Sequence, residues 1–275
     1  MRIAILSGKG GAGKTMLAVN LANTAGNATY IDCDVEEPNG HLFFKPEQIT
    51  QKEVYTFIPT FDATKCTGCR KCVDFCHFNA LAYVKEKPML FTEVCHSCGG
   101  CQLVCPEKAI SEIKRPIGVI EKGKHNTINV ITGILNPNEA SGIPIIHNLL
   151  QENDTSLTII DCPPGSACPV MESISNADFC LLVVEPTIFG FHNFKMVYEL
   201  VQIVNKKCAV IINKEEKPFS LLDDFCKENN IPIFAKIPFQ KELAESIANG
   251  SIISDNNEEL KKIFQDILHK IGKSL

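Results

Sequence analysis

Short runs of consecutive apolar residues recur along the chain, and segments with apolar residues at helical spacing lie between them. The apolar runs fall at residues 3–6, 158–160, 179–184 and 209–212. Unbroken runs of this kind are typical of strands covered on both faces, as in a parallel sheet. Helices are predicted at residues 193–204, 220–229, 241–248 and 258–271. The alternation predicts an α/β fold built on a doubly wound, mostly parallel sheet.

A cysteine-rich block interrupts this alternation between residues 58 and 113. We therefore expect one α/β domain in two parts, residues 1–57 and 114–275, with the block as a small inserted domain. The chain has 275 residues, so the part outside the block is still long enough for a single core.

Composition excludes several classes of protein. The chain is 45% hydrophobic and 21% charged, which suits a globular protein and excludes disorder as its main state. The net charge of -5 argues against a nucleic-acid binder, since such proteins are usually basic. No apolar stretch reaches the roughly 20 residues of a membrane span, and the amino terminus lacks a signal-peptide layout. We expect a cytoplasmic protein with no nucleic-acid or membrane partner.

The chain has 14 cysteines, and eight of them form two copies of the pattern C-x2-C-x2-C-x3-C. In a long chain without an export signal, this spacing indicates metal binding in a reducing compartment. Thiolates suit iron–sulfur clusters, and three cysteines of one copy can wrap a cubane while the fourth points to the other cubane. The expected ligand sets of two [4Fe-4S] clusters are Cys66, Cys69, Cys72 and Cys105, and Cys76, Cys95, Cys98 and Cys101.

The cysteine-rich block resembles bacterial two-cluster ferredoxins over its whole length, which implies a small α+β domain. Pro106 follows Cys105, as in that family, whereas His77 follows Cys76. This departure puts the backbone geometry or potential of one cluster in doubt. A pair of zinc knuckles is the alternative, and the third cysteine of each copy suits a cubane better than a tetrahedral zinc site.

A glycine-rich loop follows the first apolar run. It fits the phosphate-binding pattern G-x-x-x-x-G-K-S/T and opens a helix predicted at residues 14–24. Backbone N–H groups of such a loop close around phosphates at a helix N-terminus. Lys14 is expected to reach the β- and γ-phosphates, and Thr15 is expected to hold Mg²⁺.

Lys9 gives the loop the form K-G-G-x-G-K-T, which resembles the deviant P-loop family of MinD, ParA, Mrp-type scaffolds and the nitrogenase iron protein. The resemblance implies that Lys9 reaches across a dimer to the partner's nucleotide, the alternative being a solvated surface lysine. It also implies that Asp34 orients the attacking water or the magnesium shell, and that Asp161 joins that shell. The implied catalytic residues are Lys9, Lys14 and Asp34, and the implied magnesium residues are Thr15, Asp34 and Asp161.

Asn213 resembles the base-contacting asparagine of the same family. It begins the sequence N-K-E-E, which departs from the GTPase pattern N-K-x-D at Glu216, so the resemblance favours ATP over GTP. Gly165 is implied to sense the γ-phosphate. The implied ATP-binding residues are Gly8, Lys9, Gly10, Gly11, Ala12, Gly13, Lys14, Thr15, Met16 and Asn213.

Taken together, the motifs resemble a MinD-type ATPase with a two-cluster ferredoxin inserted between its two switch segments, residues 30–34 and 159–165. This resemblance covers nearly the full chain. It implies an ATP-hydrolysing iron–sulfur protein, a homodimer or heterodimer with a related ATPase, that gates electron transfer to a redox partner. One alternative is a scaffold or carrier that hands clusters or metallocofactors to an acceptor. Another is a redox-sensing positioning ATPase.

Two further features have competing interpretations. Cys168, after the second switch segment, could bind a cluster shared between subunits, as in the nitrogenase iron protein. Such a cluster needs two cysteines per chain, and a small residue at a helix start is the alternative. The apolar stripe of the C-terminal helix predicts packing on its own domain, with a membrane-binding tail as the alternative.

Overall fold

The computed structural model describes residues 1–152 and 156–275. The strands within these ranges are β1 Arg2–Leu6, β2 Thr29–Asp32, β3 Glu47–Phe61, β4 Leu81–Val84, β5 Lys87–Leu90, β6 Ile110–His125, β7 Ile128–Leu135, β8 Thr158–Asp161, β9 Phe179–Val184, β10 Lys207–Glu215 and β11 Ile233–Pro238. The α-helices are α1 Lys14–Ala25, α2 Gly40–Phe44, α3 Lys71–Phe75, α4 Gly100–Leu103, α5 Ile143–Leu150, α6 Cys168–Ile174, α7 Ile188–Ile203, α8 Ser220–Glu228, α9 Lys241–Ala248 and α10 Glu258–Ser274.

The main sheet has the strand order β11-β10-β9-β1-β8-β2-β7-β6-β3. The strands from β11 to β7 are parallel, and β6 and β3 extend the sheet with antiparallel pairing. Helices α5 to α8 cover one face of the sheet, while α1 and α10 cover the other, so each face has its own apolar core. This arrangement confirms the predicted α/β fold and explains the apolar runs, since the central strands are buried on both sides.

Most predicted elements in the second half of the chain agree with the structure to within a few residues. The helix predicted at 241–248 is α9, with the same bounds. The helix predicted at 193–204 starts earlier, because the Thr187 side chain accepts a hydrogen bond from the Gly190 N–H at 3.0 Å and so caps a helix that begins at Ile188.

A long antiparallel pair of strands, β3 and β6, carries the segment between the two switch regions. The pairing runs from Glu47 opposite Lys124 to Phe61 opposite Ile110. We call this pair the ribbon. The boundaries expected at residues 57 and 113 fall inside its two strands, so the ribbon joins the α/β domain to residues 62–109.

Residues 62–109, which we call the cysteine segment, lie at the far end of the ribbon. They form α3, the β4–β5 hairpin and α4 around a small core of Cys72, Leu81 and Ile110. The helices α3 and α4, one from each copy of the cysteine pattern, are in contact with each other.

The C-terminal helix packs on its own domain. In α10 the side chains of Leu260, Phe264, Ile267 and Ile271 are buried in the same core as α1. This confirms the predicted packing of its apolar stripe. Among the described helices, none is both long and apolar enough to cross a membrane.

Candidate functional site

The glycine-rich loop connects the end of β1 to the first turn of α1, as the motif predicts. Gly11 and Gly13 have φ angles of 75° and 100°, a region that favours glycine. A Cβ on Gly13 would lie 2.1 Å from the Asn213 amide nitrogen, so this position also needs glycine for space. Lys14, the first residue of α1, is buried, and Thr15 follows it. The loop therefore presents backbone N–H groups and a helix N-terminus to an anion.

A cluster of acidic side chains lies beside the loop, at the carboxyl ends of β2 and β8. Asp32 and Asp161 are paired across these strands, and both are buried. The Tyr30 hydroxyl donates to Asp161 Oδ2 at 3.0 Å, and it lies 3.4 Å from Asp32 Oδ2. Asp32 also accepts backbone N–H groups of Asp34, Asn39 and Gly40, at 3.1, 3.1 and 2.9 Å.

Burial and mutual repulsion shift the acidic groups towards their neutral forms. Burial, and then the charge of Asp161, raises the pKa of Asp32 to about 8, although the backbone donors oppose the rise. Burial raises the pKa of Asp34 to about 6, against the lowering effect of Lys14. Burial also raises the pKa of Asp161, and Lys14, Thr15 and Tyr30 oppose that rise.

These carboxylates fit a divalent cation. Asp161 Oδ1 is buried without a hydrogen-bond partner among the described residues. A buried carboxylate oxygen with no donor costs free energy unless a cation or ordered water satisfies it. Oxygen ligands are those that Mg²⁺ prefers, so Asp161, with Thr15 and Asp34 nearby, suits the magnesium of a bound nucleotide.

A pocket of about 520 Å³ opens from the loop. One end is polar and lined by Lys14, Thr15 and Asp34, and the other is apolar and lined by Leu42, Phe239, Leu243 and Ile247. The first three residues were expected from the sequence, whereas the apolar end, formed by α2, α9 and the turn before α9, was not. The shape suits a ligand with a phosphate group at one end and a ring at the other.

Asn213 contacts the loop from the end of β10. Its amide nitrogen donates to the Ala12 carbonyl at 2.8 Å, and the Lys214 ammonium donates to the Gly11 carbonyl at 2.7 Å. Both residues line the pocket. Asn213 thus holds the loop in shape, a role that the sequence did not suggest, as well as facing the ligand space.

Lys9 forms an ion pair with Glu185, at the end of β9. Its ammonium also lies 5.8 Å from the ring centroid of Phe189. Ile188 and Phe189, at the start of α7, are 77% and 64% exposed, so an apolar surface lies next to Lys9. The sequence did not predict this ion pair, because Glu185 and Lys9 meet only when β1 and β9 lie side by side.

The structure brings the eight repeated cysteines together in the two predicted sets. Cys66, Cys69, Cys72 and Cys105 line one cavity, near the ribbon residues Phe61 and Ile110. Cys76, Cys95, Cys98 and Cys101 line the other cavity, near Phe57 and Pro59. The first cavity is therefore farther along the ribbon from the sheet than the second.

Each cavity presents four cysteine thiols, a donor type that iron–sulfur clusters take. Burial raises the pKa of the Cys101 thiol to about 11, and the nearby Cys95 and Cys98 thiols add to the rise. Positive iron would favour the thiolate forms. No three His, Cys, Asp or Glu side chains among residues 1–152 and 156–275 are placed to hold one metal ion.

The remaining cysteines lie outside these cavities. Cys168 is exposed at the start of α6, next to the second switch segment. Cys180 and Cys208 are paired across β9 and β10 and pack with the apolar core, as their apolar runs predict.

Comparison with known proteins identifies the family. A model of the CobQ/CobB/MinD/ParA nucleotide-binding domain matches residues 3–253. The uncharacterized protein MJ0578 of Methanocaldococcus jannaschii is 31% identical, over 98% of this chain and 96% of its own length. The uncharacterized protein MJ0579 of the same organism is 27% identical, over 98% of this chain and 97% of its own length.

Solved structures show the same fold. The septum site-determining protein MinD of Pyrococcus horikoshii, complexed with Mg-ADP, superposes with a TM-score of 0.62. The match covers 98% of this chain and 95% of that chain, at 16% sequence identity. The family model, the full-length relatives and the loop geometry agree, and the chain belongs to the CobQ/CobB/MinD/ParA family of nucleotide-binding proteins.

Proposed function

We propose that this protein is a dimeric ATPase that gates electron transfer through two [4Fe-4S] clusters. The observation that carries the proposal is the presence, on one chain, of a P-loop pocket and two cavities lined by the two predicted sets of four cysteines. Neither the pocket nor the cysteine cavities alone would distinguish an ATP-gated electron-transfer protein from other nucleotide-binding or metal-binding proteins. Their connection through the ribbon favours a protein in which nucleotide and redox chemistry act together.

The P-loop pocket supplies the groups that ATP hydrolysis needs. Backbone N–H groups of the loop and Lys14 would bind the phosphates, and Thr15 and Asp161 would hold Mg²⁺, which supplies charge neutralisation when bound. Asp34 is half-buried and borders the pocket, where it would orient the attacking water. Leu243 and its apolar neighbours would hold the base.

A second subunit would complete the nucleotide site. In this role Lys9 leaves Glu185 and binds the nucleotide of the partner, and the exposed Ile188 and Phe189 beside it become buried in the interface. The partner is a second copy or a related ATPase. Methanocaldococcus jannaschii has two full-length relatives of this chain, as a heterodimer of related chains would require.

The cysteine segment would hold the clusters and pass electrons to a redox partner protein. The clusters supply one-electron chemistry when bound, and the chain supplies eight thiolates and a partly apolar surrounding. His96 stacks on Phe78 with ring centroids 3.8 Å apart, and both rings line the second cavity. Four protein ligands per cluster favour retention of the cluster.

Two other functions have specific support. Cys69 and Cys98 are exposed, so a scaffold that hands its clusters to an acceptor protein is the second candidate. The structural neighbour from Pyrococcus horikoshii is named as a septum site-determining protein, which supports a positioning ATPase whose clusters sense redox state. Transfer of iron to an apo-acceptor, or movement of the protein on vesicles, would favour these functions.

The proposal is tested with protein purified without oxygen. We expect about eight iron atoms per chain, for two cubanes, and ATP hydrolysis that Lys14→Ala abolishes while the iron content stays unchanged. Lys52→Ala, an exposed ribbon lysine, is the matched control and keeps both properties. Protein without iron, or without a Lys14-dependent ATPase, would contradict the proposal.

A further inference from the structure

The ribbon leaves the main sheet at one point. β6 pairs with β7 only from Gly118 to His125, so residues 110–117 and their partners in β3 project beyond the sheet. The register of the ribbon shifts between Val54 and Tyr55, next to this point. Because a bulge bends a strand locally, we expect the ribbon to bend where it leaves the sheet, and we call this point the pivot.

An ion pair lies at the pivot. Arg115 in β6 binds Glu139, in the loop between β7 and α5. The two side chains are 21% and 8% exposed, so the pair is largely shielded from water. Arg115 Nε is buried and, within the described part of the chain, has no hydrogen-bond partner. A guanidinium can bind a carboxylate through two donors. A second arrangement of the pair, in which Arg115 Nε also donates to Glu139, is therefore available.

The loop that carries Glu139 also contacts the segment that follows Asp34. The Val35 carbonyl accepts the Leu135 N–H at 2.9 Å, immediately before the loop. At the other end of the loop, a Cβ on Gly142 would lie 2.4 Å from Val35 Cγ2. Val35 therefore packs against bare backbone, and a shift of Val35 must move this loop.

The same loop is tied to the ribbon by a second contact. The Asn136 N–H donates to the Ile117 carbonyl at 2.8 Å, in addition to the ion pair between Glu139 and Arg115. The loop thus contacts the segment after Asp34 through Val35, and it contacts the ribbon through β6. Packed contacts of this kind move as discrete units and do not deform continuously.

We propose that the loop at residues 136–142 transmits movement of Asp34 to the ribbon, with Arg115 and Glu139 as the residues that position it. The inference rests on the proposed function, in which ATP engages Asp34 and the cysteine segment holds clusters. A small rotation at the pivot becomes a larger displacement at the far end of the ribbon. Nucleotide binding would therefore move the cysteine segment relative to a docked acceptor.

Hydrogen–deuterium exchange of the full-length, cluster-loaded protein tests this coupling. Exchange is measured in ribbon peptides covering residues 55–61 and 110–117, with and without a non-hydrolysed MgATP analogue. For the wild type we expect the analogue to change these exchange rates by about fivefold or more, a common size for coupled sites. Arg115→Gln and Glu139→Gln should each abolish this response while nucleotide affinity stays within about twofold.

Two further variants separate coupling from general damage. Lys122 lies on β6, as Arg115 does, and forms an ion pair with Glu152, away from the loop at residues 136–142. Lys122→Gln breaks that ion pair and should keep the wild-type response. The double reversal Arg115→Glu with Glu139→Arg should restore part of it. An unchanged response in both single variants, or a wild-type ribbon that ignores the nucleotide, would overturn the coupling. Iron content and ATPase activity of the same samples test the proposed function separately.

Discussion

At the scale of residues, the nucleotide site is built around a buried phenol. Tyr30 lies between Asp32 and Asp161 and donates its hydroxyl to a carboxylate whose other oxygen has no partner among the described residues. The phenol satisfies part of an acidic pair that would otherwise repel strongly. The Tyr30 hydroxyl therefore helps to stabilise two buried acidic groups that lie side by side in the fold.

The raised pKa of Asp32 predicts how the stability of the magnesium-free protein depends on pH. Its carboxyl has a pKa of about 8 when folded, against about 3.9 in an unfolded chain. Between these values the unfolded chain loses a proton that the folded protein keeps, so stability falls as pH rises, by at most about 1.4 kcal/mol per pH unit.

Asp32→Asn removes this contribution. We expect the difference in melting temperature, variant minus wild type, to increase steadily from pH 5 to pH 8 in nucleotide-free and magnesium-free protein. Thermal unfolding at matched ionic strength gives this difference, because titrating groups distant from Asp32 affect both proteins alike. A difference that stays constant with pH would show that Asp32 is ionised in the folded protein.

The Tyr30 side chain leaves no space for a side chain at position 40, so this position requires glycine. A Cβ at this position would lie 2.1 Å from the Tyr30 hydroxyl. Gly40→Ala should therefore lower the free energy of unfolding by about 1–3 kcal/mol, the usual cost of overpacking. Gly272→Ala is the matched control, since nothing lies within 4 Å of its added Cβ, and alanine is the better helix former there. Equal melting temperatures for the two variants would contradict the packing argument.

At the scale of elements, the sequence predicted those features whose structure depends on neighbouring residues in the chain. The glycine-rich loop, the buried strands and helices such as α9 follow from spacing and apolar pattern over a few residues. The ribbon was missed, because residues 47–53 are exposed and have no apolar face to mark a strand. Its pairing partner lies far along the chain, at β6. The ion pair between Lys9 and Glu185 and the apolar end of the nucleotide pocket were missed for the same reason, since only the folded sheet brings these residues to the loop.

The position of helix α9 beside the pocket predicts that its apolar side chains contact the base of the nucleotide. Leu243 lines the pocket, whereas Glu242 is exposed and does not. Leu243→Asn should weaken binding of an ATP analogue by about tenfold, as expected for the loss of one apolar contact, and Glu242→Asn should leave binding unchanged. Isothermal titration of both variants gives the affinities, and equal affinities would place the base elsewhere.

Paired alanine substitutions test the crossed assignment of the cysteines. Cys66 and Cys105 line the same cavity, so the double variant Cys66→Ala with Cys105→Ala should lose one cluster and about half the iron. Cys66 and Cys76 line different cavities, so replacing both should impair both clusters. Iron analysis and EPR of each reduced variant give the cluster content. The reverse outcome would mean that each copy of the pattern holds its own cluster.

At the scale of the whole molecule, the ribbon leaves the sheet at the carboxyl edge of the parallel strands, the same edge that carries the nucleotide pocket. The nucleotide pocket lies at the carboxyl ends of the central strands, and the cysteine segment lies where β3 and β6 extend beyond the sheet. Electron transfer falls steeply with distance, so a modest movement of the ribbon would be enough to open or close a path to an acceptor. In the proposed function, this is the reason for an ATPase fold to carry a segment with eight cysteines.

The most direct test of the central claim is a redox titration monitored by EPR, on anaerobic protein with both clusters present. It is run without nucleotide, with MgADP and with a non-hydrolysed MgATP analogue. If nucleotide gates electron transfer, the analogue shifts the potential or the line shape of at least one cluster, and MgADP gives a different result. Identical titrations in all three states, with nucleotide shown to be bound, would contradict direct communication between the nucleotide site and the clusters.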